Sequence, residues 1–390
     1  MEMMSTMKPS GNKPARHGWV AKVLILVVSF LVFMECGARL VPSVGFLRRK
    51  ITGIDDSSYR LQWIRLHRHS QEWTGPFAAY DPVRGWALKP GIRDMKVYDG
   101  TILSTNSKGI RGETEYSYAR VPGKQRILLL GDSFTFGAEV PDEETYAHLL
   151  AGSLPSTEVL NLGVQGYGHD QMLLYLREEG VKYRPDIVMV GFTYIDVYRN
   201  IERFFAYAKP EFQWESGGYQ LTDVPVPPPG RVLAEESWRP KSLDILLMLR
   251  EKIRWRLGEN EAEARGVTRW LLGEIAGTAR GIGAVPVFVY LPVNDEIAPV
   301  PGVALGPMLP RIPEREAFLR EICEEQSVPC LFLGPQFREA AGRGIDFHAR
   351  GHYNAAGNRL AAGEIRDFLL RSHLAGEQGP PASVPAGRER

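Results

Sequence analysis

"RILLLGDSFTFG", from Arg126 to Gly137, decides how the rest of the chain is read. Ile127 to Leu130 is an unbroken aliphatic run, as expected of a central parallel strand covered on both faces. It stops at Gly-Asp-Ser, and "VPDEETYAHLLAGSL" follows, with acidic residues first and then an apolar stripe at Tyr146, Leu149 and Leu150. That order marks a helix N-terminus and its core-facing side. The stretch therefore reads strand, tight turn, helix, and delivers Ser133 to the carboxyl end of the strand, the edge where open α/β sheets bind ligands. A Gly-Asp-Ser turn with a capping serine has the same local look, so the neighbouring segments must decide between a structural serine and a nucleophile.

From Arg126 onward, apolar strand candidates alternate with helical patterns. The strands are Ile127–Leu130, Glu158–Leu162, Ile187–Phe192, Val285–Leu291 and Cys330–Leu333. Between them lie "QMLLYLREEGVKY", "VTRWLLGEIAGTARGIG" and "EREAFLREICEEQ". Such alternation predicts a parallel sheet with helices on both faces and right-handed crossovers. The segment from about 203 to 260 breaks it: "DVPVPPPGRV" is too proline-rich for a strand, and "SLDILLMLREKIRWRLG" has the pattern of an amphipathic helix. It reads as an insertion beside the sheet edge, a lid or substrate wall. Ahead of the sheet, 42–123 is rich in turn residues with short β-like runs, which suggests a small β-rich cap. The tail, 373–390, is poor in apolar residues and reads as disordered.

The formal net charge of +1, with no long basic run beyond the termini, gives no hint of nucleic acid. Three cysteines without a CxxC offer no zinc site by spacing, and the reading calls for no metal and no cofactor. The amino-terminal stretch is distinctive. Within Gly18–Val41 an apolar core runs from Val23 to Met34, interrupted only by Ser29, and 19–41 reaches the ~20 residues that cross a bilayer. Lys8, Lys13, Arg16 and Lys22 precede it, which places 1–18 in the cytoplasm by the positive-inside tendency, although Arg39, Arg48, Arg49 and Lys50 lie beyond it. A cleaved signal peptide and a buried soluble helix are the rival readings; "MECGARL" lacks a clean small-x-small cleavage site. The favoured reading is a single-pass anchor with the remainder on the extracytoplasmic side, where Cys323 and Cys330 could pair or remain two buried thiols.

A nucleophilic serine needs a base and donors for a developing oxyanion. "NLGVQGYGHD" follows the second strand, "GFTYIDVYRN" the third, and "GIDFHARGHYNAAGNRLAAGEI" the last. Taken together, "GDSFTFG", "NLGVQGYG" and "HYNAAGNRLAA" resemble the SGNH, or GDSL, hydrolase superfamily over about 101–370. "STNSKGIRG" is similar to membrane-anchored bacterial members of that group. The resemblance implies a three-layer α/β sandwich with a five-stranded flavodoxin-like sheet over 124–372. It implies Ser133 as nucleophile, His352 as general base, and the amides of Ser133 and Gly166 as oxyanion donors. It also implies a serine esterase acting on short acyl (acetyl) esters of an extracytoplasmic glycan or lipid. An O-acyltransferase of cell-surface polysaccharide, working beside a membrane acyl-transfer partner, and an impaired glycan-binding relic are the alternatives.

Two departures from the family's pattern stand out. The third block, Gly-x-Asn-Asp in the family, ends here in Ile195-Asp196, so the oxyanion-binding amide is absent, with Thr193 or Tyr194 as possible stand-ins. The acid that usually stands two or three residues before the histidine is replaced by Arg350 and Ala349, and Asp346 is the nearest carboxylate. Either Asp346 reaches His352 through a looped insertion or a Ser-His dyad is braced by a backbone carbonyl. His348, with Asp346 two residues before it, is the competing base. His169 reads as a pocket-lining residue or, more commonly for such a position, a solvated helix-start residue, Asp132 as a turn aspartate bonding loop amides, and Asp196 as a loop-holding partner of Arg199.

Overall fold

The structure, a computed structural model, describes residues 16–41, 44–46, 50, 52–69, 75–97, 100–297 and 310–376. Most of the basic leader, including Lys8 and Lys13, and most of the tail expected to be disordered lie outside the described residues. The chain opens with helix α1 (Arg16–Leu40), whose apolar side chains from Trp19 to Phe33 are largely exposed. Its 22-residue apolar stretch, Trp19–Leu40, is long enough to cross a bilayer, about 33 Å at 1.5 Å per residue. Near its end α1 touches the body of the protein, and Ala38 is buried there.

Where short β-like runs are expected, the chain first forms helix α2 (Asp56–His67). Asp55 starts it, accepting hydrogen bonds from the Ser58 amide (2.8 Å) and hydroxyl (2.6 Å). Two antiparallel hairpins follow: β1 (Ala78–Asp81) with β2 (Gly85–Leu88), and β3 (Met95–Val97) with β4 (Thr101–Leu103). The α/β alternation begins with β5 (Gln125–Gly131), α3 (Ser133–Phe136), α4 (Tyr146–Ser153), β6 (Thr157–Gly163), α5 (His169–Glu178), β7 (Ile187–Phe192) and α6 (Ile195–Arg199). The interruption consists of hairpin β8 (Glu211–Glu215)–β9 (Gly218–Thr222) and helices α7 (Pro229–Trp238) and α8 (Lys241–Leu257). Alternation resumes with α9 (Glu259–Gly281), β10 (Val285–Tyr290), α10 (Asn294–Ile297), α11 (Ile312–Gln326), β11 (Cys330–Phe332) and α12 (Gly334–Gly342). The two-residue strands β12 (His348–Ala349) and β13 (His352–Tyr353) then lead into α13 (Ala355–Arg371).

The five parallel strands lie in the order β11-β10-β7-β5-β6, so the chain starts inside the sheet, steps one way to β6 and then the other way to β7. This is the flavodoxin-like order, with its switch point beside β5. Register explains the aliphatic run: Ile127 lies against Val159 and Ile187, and Leu130 against Leu162 and Val190, so β5 is hydrogen-bonded on both edges. Alternate residues feed two cores. Leu128, Leu130, Val188 and Phe288 pack with α5, α9 and α11, while Ile127, Leu129, Met189 and Val287 pack with α4, α12 and α13. Each such buried side chain contributes about 1.5–3 kcal/mol against the chain entropy lost on folding. A disulfide joins Cys323, near the end of α11, to Cys330 at the start of β11, which resolves the two sequence readings in favour of pairing.

Candidate active site

Asp132 follows β5 in an extended conformation and its carboxylate accepts from the Phe134 amide at 2.8 Å, so α3 starts at Ser133. The residue does what the sequence suggested for a turn aspartate. Gly137 closes the turn in the left-handed conformation (φ 78°). The second block fastens the same turn from beside it. Asn161 of β6 donates from Nδ2 to the Thr135 carbonyl at 2.9 Å. Gly163 has no room for a Cβ, which would stand 2.4 Å from the Phe136 nitrogen. Ser133 is only 6% exposed, and what it exposes faces a cleft of about 500 Å³.

Gly166 lines that cleft with φ +78°. Its loop is held by the cap: Trp86 donates from its indole to the Gln165 carbonyl at 2.9 Å, and the Tyr167 hydroxyl donates back to the Trp86 carbonyl at 2.5 Å. The amides of Ser133 and Gly166 donate to no other group among the described residues. Both are therefore free to bind a charge that develops on a substrate oxygen.

His352 approaches from the far end of the chain. A turn through Arg350 (φ 51°) and Gly351 (φ 121°) reverses the backbone, and Asn354 caps α13 by accepting from the Ala356 and Gly357 amides. Nε2 of His352 lies 2.9 Å from Oγ of Ser133, within reach for proton transfer. His348 does not share this position. In the β12–β13 register His348 pairs with Tyr353, one residue out of step with His352, so its ring lies against Tyr353 instead. Burial also pushes the His348 imidazole down to about 4.

Asp346, the carboxylate expected to reach His352, has no bond to its ring. Asp346 is exposed; its carboxylate accepts from the His348 amide at 3.2 Å and its carbonyl from Asn354 Nδ2 at 3.0 Å. Both bonds lie within the histidine loop. The group at Nδ1 of His352 is Glu139, with Oε1 at 3.3 Å. Sequence reading missed it because Glu139 stands among "AEVPDEE", where acidic residues read as helix-start charges. Its backbone has φ +71°, an uncommon conformation for a side-chain-bearing residue. The other oxygen, Oε2, is buried without a hydrogen-bond partner among the described residues.

The third block contributes no oxyanion amide. Ile195 packs into the core, and the Tyr194 hydroxyl donates to Glu261 of α9 at 2.8 Å. Thr193 is fully buried; its amide donates to Asp196 Oδ2 at 3.0 Å. Arg199, at the end of α6, lines the cleft and lies between two carboxylates, at 2.5 Å from Asp196 and 3.1 Å from Asp132. Burial and then the neighbouring Asp132 push Asp196 well above the usual carboxylate range, with Arg199 opposing both. Burial alone would lower Arg199, but Asp196 and Asp132 more than offset this and raise it. His169 is fully buried, contrary to its expected solvated position: α9 covers it, and Asn200, bonded to Thr268, also contacts its Nδ1 at 2.9 Å. Desolvation pushes that imidazole down to about 3.

Residues 129–360 match the GDSL-like Lipase/Acylhydrolase family. The chain belongs to that family. As a GDSL-type acylhydrolase it is a hydrolase of esters, and its three sequence blocks converge on one end of the sheet, as the family assignment requires. Among solved structures it is similar to a lipolytic protein of the G-D-S-L family from Veillonella parvula DSM 2008, at 14% identity, covering 63% of this chain and 99% of that one, with a TM-score of 0.40. It is also similar to a single-residue mutant of Axe2, an acetyl-xylooligosaccharide esterase from Geobacillus Stearmophilus, at 14% identity, 63% and 95% coverage, and a TM-score of 0.38. No curated protein sequence matches the chain.

Proposed function

We propose that this acylhydrolase is a membrane-anchored serine esterase that removes short acyl groups, such as acetyl, from an extracytoplasmic glycan or lipid. The observation that carries the reading is the 2.9 Å approach of His352 Nε2 to Ser133 Oγ inside the cleft. Ser133 attacks the ester carbonyl, and His352 takes its proton. The amides of Ser133 and Gly166 hold the oxyanion, and the imidazolium then protonates the leaving alkoxide. Water, deprotonated by the same imidazole, then attacks the acyl-enzyme carbonyl, and the imidazolium returns the proton to Ser133 Oγ as the carboxylic acid leaves. Glu139, rather than Asp346, orients the ring and stabilises the imidazolium that forms at each step. Arg199 acts beneath the site: it fixes Asp132, whose carboxylate holds the Phe134 amide and with it the turn that presents Ser133. With the third-block amide missing, the oxyanion rests on two donors, which places turnover ~100- to 1,000-fold below that of a site with the third.

Support for an anchor comes from the far end of α1. Glu35 accepts from the amides of Lys241 and Ser242, each at 3.0 Å, and from the Ser242 hydroxyl at 2.8 Å. α1 thus caps α8, and a chain cleaved after α1 would lose that cap. The esterase reading is tested by labelling the purified full-length chain with a fluorophosphonate probe. Labelling that disappears in Ser133→Ala, together with loss of aryl acetate hydrolysis, is expected. A folded wild-type protein that neither labels nor hydrolyses would overturn it.

A further inference from the structure

The catalytic cleft is one of three adjoining depressions. It shares His67, Phe205 and Ala206 as walls with a hollow of about 290 Å³. That hollow shares Tyr59 and Gln62 with a recess of about 970 Å³. Residues 59, 62, 66 and 67 fall on one side of α2 by helical spacing, so this helix lies between Ser133 and the recess.

The walls of the recess identify what it faces. Arg39, from the last turn of α1, and Lys241, at the start of α8, place it where the apolar helix meets the body of the protein. Arg65 and Arg68 join them, and among the described residues the recess wall carries one carboxylate, Glu236. Arg39 is paired with Glu35, and Lys241 with Glu236 and Asp244. Arg65 and Arg68 are exposed and have no acidic partner among the described residues. Beside the recess, α8 carries an exposed apolar stripe, Leu243, Leu246, Leu249, Ile253 and Leu257, on the helix that α1 caps. Arginines without an acidic partner among the described residues, next to apolar surface at the end of the proposed anchor helix, suit an anionic headgroup whose hydrocarbon stays in the bilayer. The hollow between recess and cleft, with aromatic walls from Tyr59, Trp63 and Phe205 and polar ones from Gln62 and His67, suits a linking chain with both apolar and hydrogen-bonding faces.

We infer that the substrate is a membrane-resident amphiphile, bound by a phosphoryl group at Arg65 and Arg68, whose acyl ester reaches Ser133 across α2 at the end of a polar spacer. This rests on the esterase and anchor readings above. It excludes an ester directly beside the phosphate, because the hollow separates the two sites.

The test uses the full-length chain in neutral phosphatidylcholine vesicles and three probes. The first is a phosphatidyl lipid carrying a terminal acetate on an ethylene-glycol spacer of varied length. The second is the same spacer acetate on a diacylglycerol without phosphate, and the third is a soluble aryl acetate. Hydrolysis of the first should require a spacer. Replacing both arginines (Arg65→Glu with Arg68→Glu) should lower its kcat/KM by about tenfold or more, as expected for loss of charge-assisted bonds. Aryl acetate hydrolysis should be unchanged, which also verifies folding. Gln62→Trp, which fills the hollow, should impair the spaced lipid ester in the same selective way. Equal rates with and without phosphate, indifference to spacer length, or no effect of the charge reversal would overturn the inference while leaving the esterase reading intact. Failure of the wild type on aryl acetate as well would overturn both.

Discussion

Oε1 of Glu139 lies 3.3 Å from Nδ1 of His352, across 213 residues of chain. Glu139 reaches the ring from a left-handed backbone position just after the Ser133 turn, while the β12–β13 reversal places the imidazole beside Ser133. A strained backbone position beside a serine–histidine pair is where such conformations concentrate.

Glu139→Gln should lower turnover on an aryl acetate by up to about 10,000-fold with little change in KM, because an amide holds the wrong tautomer. Asp346→Asn should change turnover by less than about threefold, since its carboxylate bonds the His348 amide. The reverse ranking in steady-state kinetics would restore Asp346 as the acid.

Arg199→Met would leave Asp132 and Asp196 buried without their cation, at a cost of about 3–5 kcal/mol in urea unfolding. Adding Asp196→Asn should recover part of that loss, because it removes one of the two facing carboxylates. Simple additivity of the two changes would show that the three groups do not act as a unit.

Acid stability should report His169. Its imidazole is held at about 3 in the folded protein, below its ordinary value of 6.5. As pH falls from 6.5 towards 3, the unfolded chain takes up a proton that the folded chain refuses, so stability declines by up to ~1.4 kcal/mol per pH unit. Above 6.5 the group contributes no slope. His169→Phe should flatten this acid limb in thermal melts between pH 6.5 and 4, and an unchanged limb would assign the slope to other groups.

Replacing Cys323 and Cys330 by serine opens a short loop between α11 and β11, and should cost about 2 kcal/mol. The bond lies at the outer strand of the sheet, away from the cleft, so aryl acetate turnover at 25 °C should persist in the double variant. Loss of activity at a temperature where the protein remains folded would show a link from this edge to the site.

A C-terminal alkaline phosphatase fusion should be active and a fluorescent-protein fusion dark, with α1 retained in the mature chain. Amino-terminal sequencing that begins after Leu40 would identify α1 as a signal peptide.

The parts legible in the sequence were those set by local chemistry. The apolar run at Ile127–Leu130 announced β5, and the Gly-Asp-Ser and His-Tyr-Asn blocks announced what stands at the sheet edge. Helix α2 was not legible because "DSSYRLQWIRLH" is mostly polar and buries Ser57 and Ser58 alongside Trp63 and Ile64, so no clear apolar stripe marks it. The fate of His169 depended on α9 folding over it from a hundred residues away, roughly a domain's length of chain. Glu139 was hidden for the same kind of reason: its partner is distant, and a left-handed backbone at a glutamate leaves no mark in composition.

Glu139 and Ser133 both belong to "GDSFTFGAEV", so one continuous cassette carries the serine and the carboxylate that face the two ring nitrogens of His352. The histidine loop then has a single duty, to deliver one ring. A loop with a single duty tolerates drift, and the stretch from Asp346 to Gly351 can vary provided that the ring stays within reach of Ser133. The same division makes the site portable: transplanting these ten residues into a relative whose own acid has been deleted would carry a replacement with it.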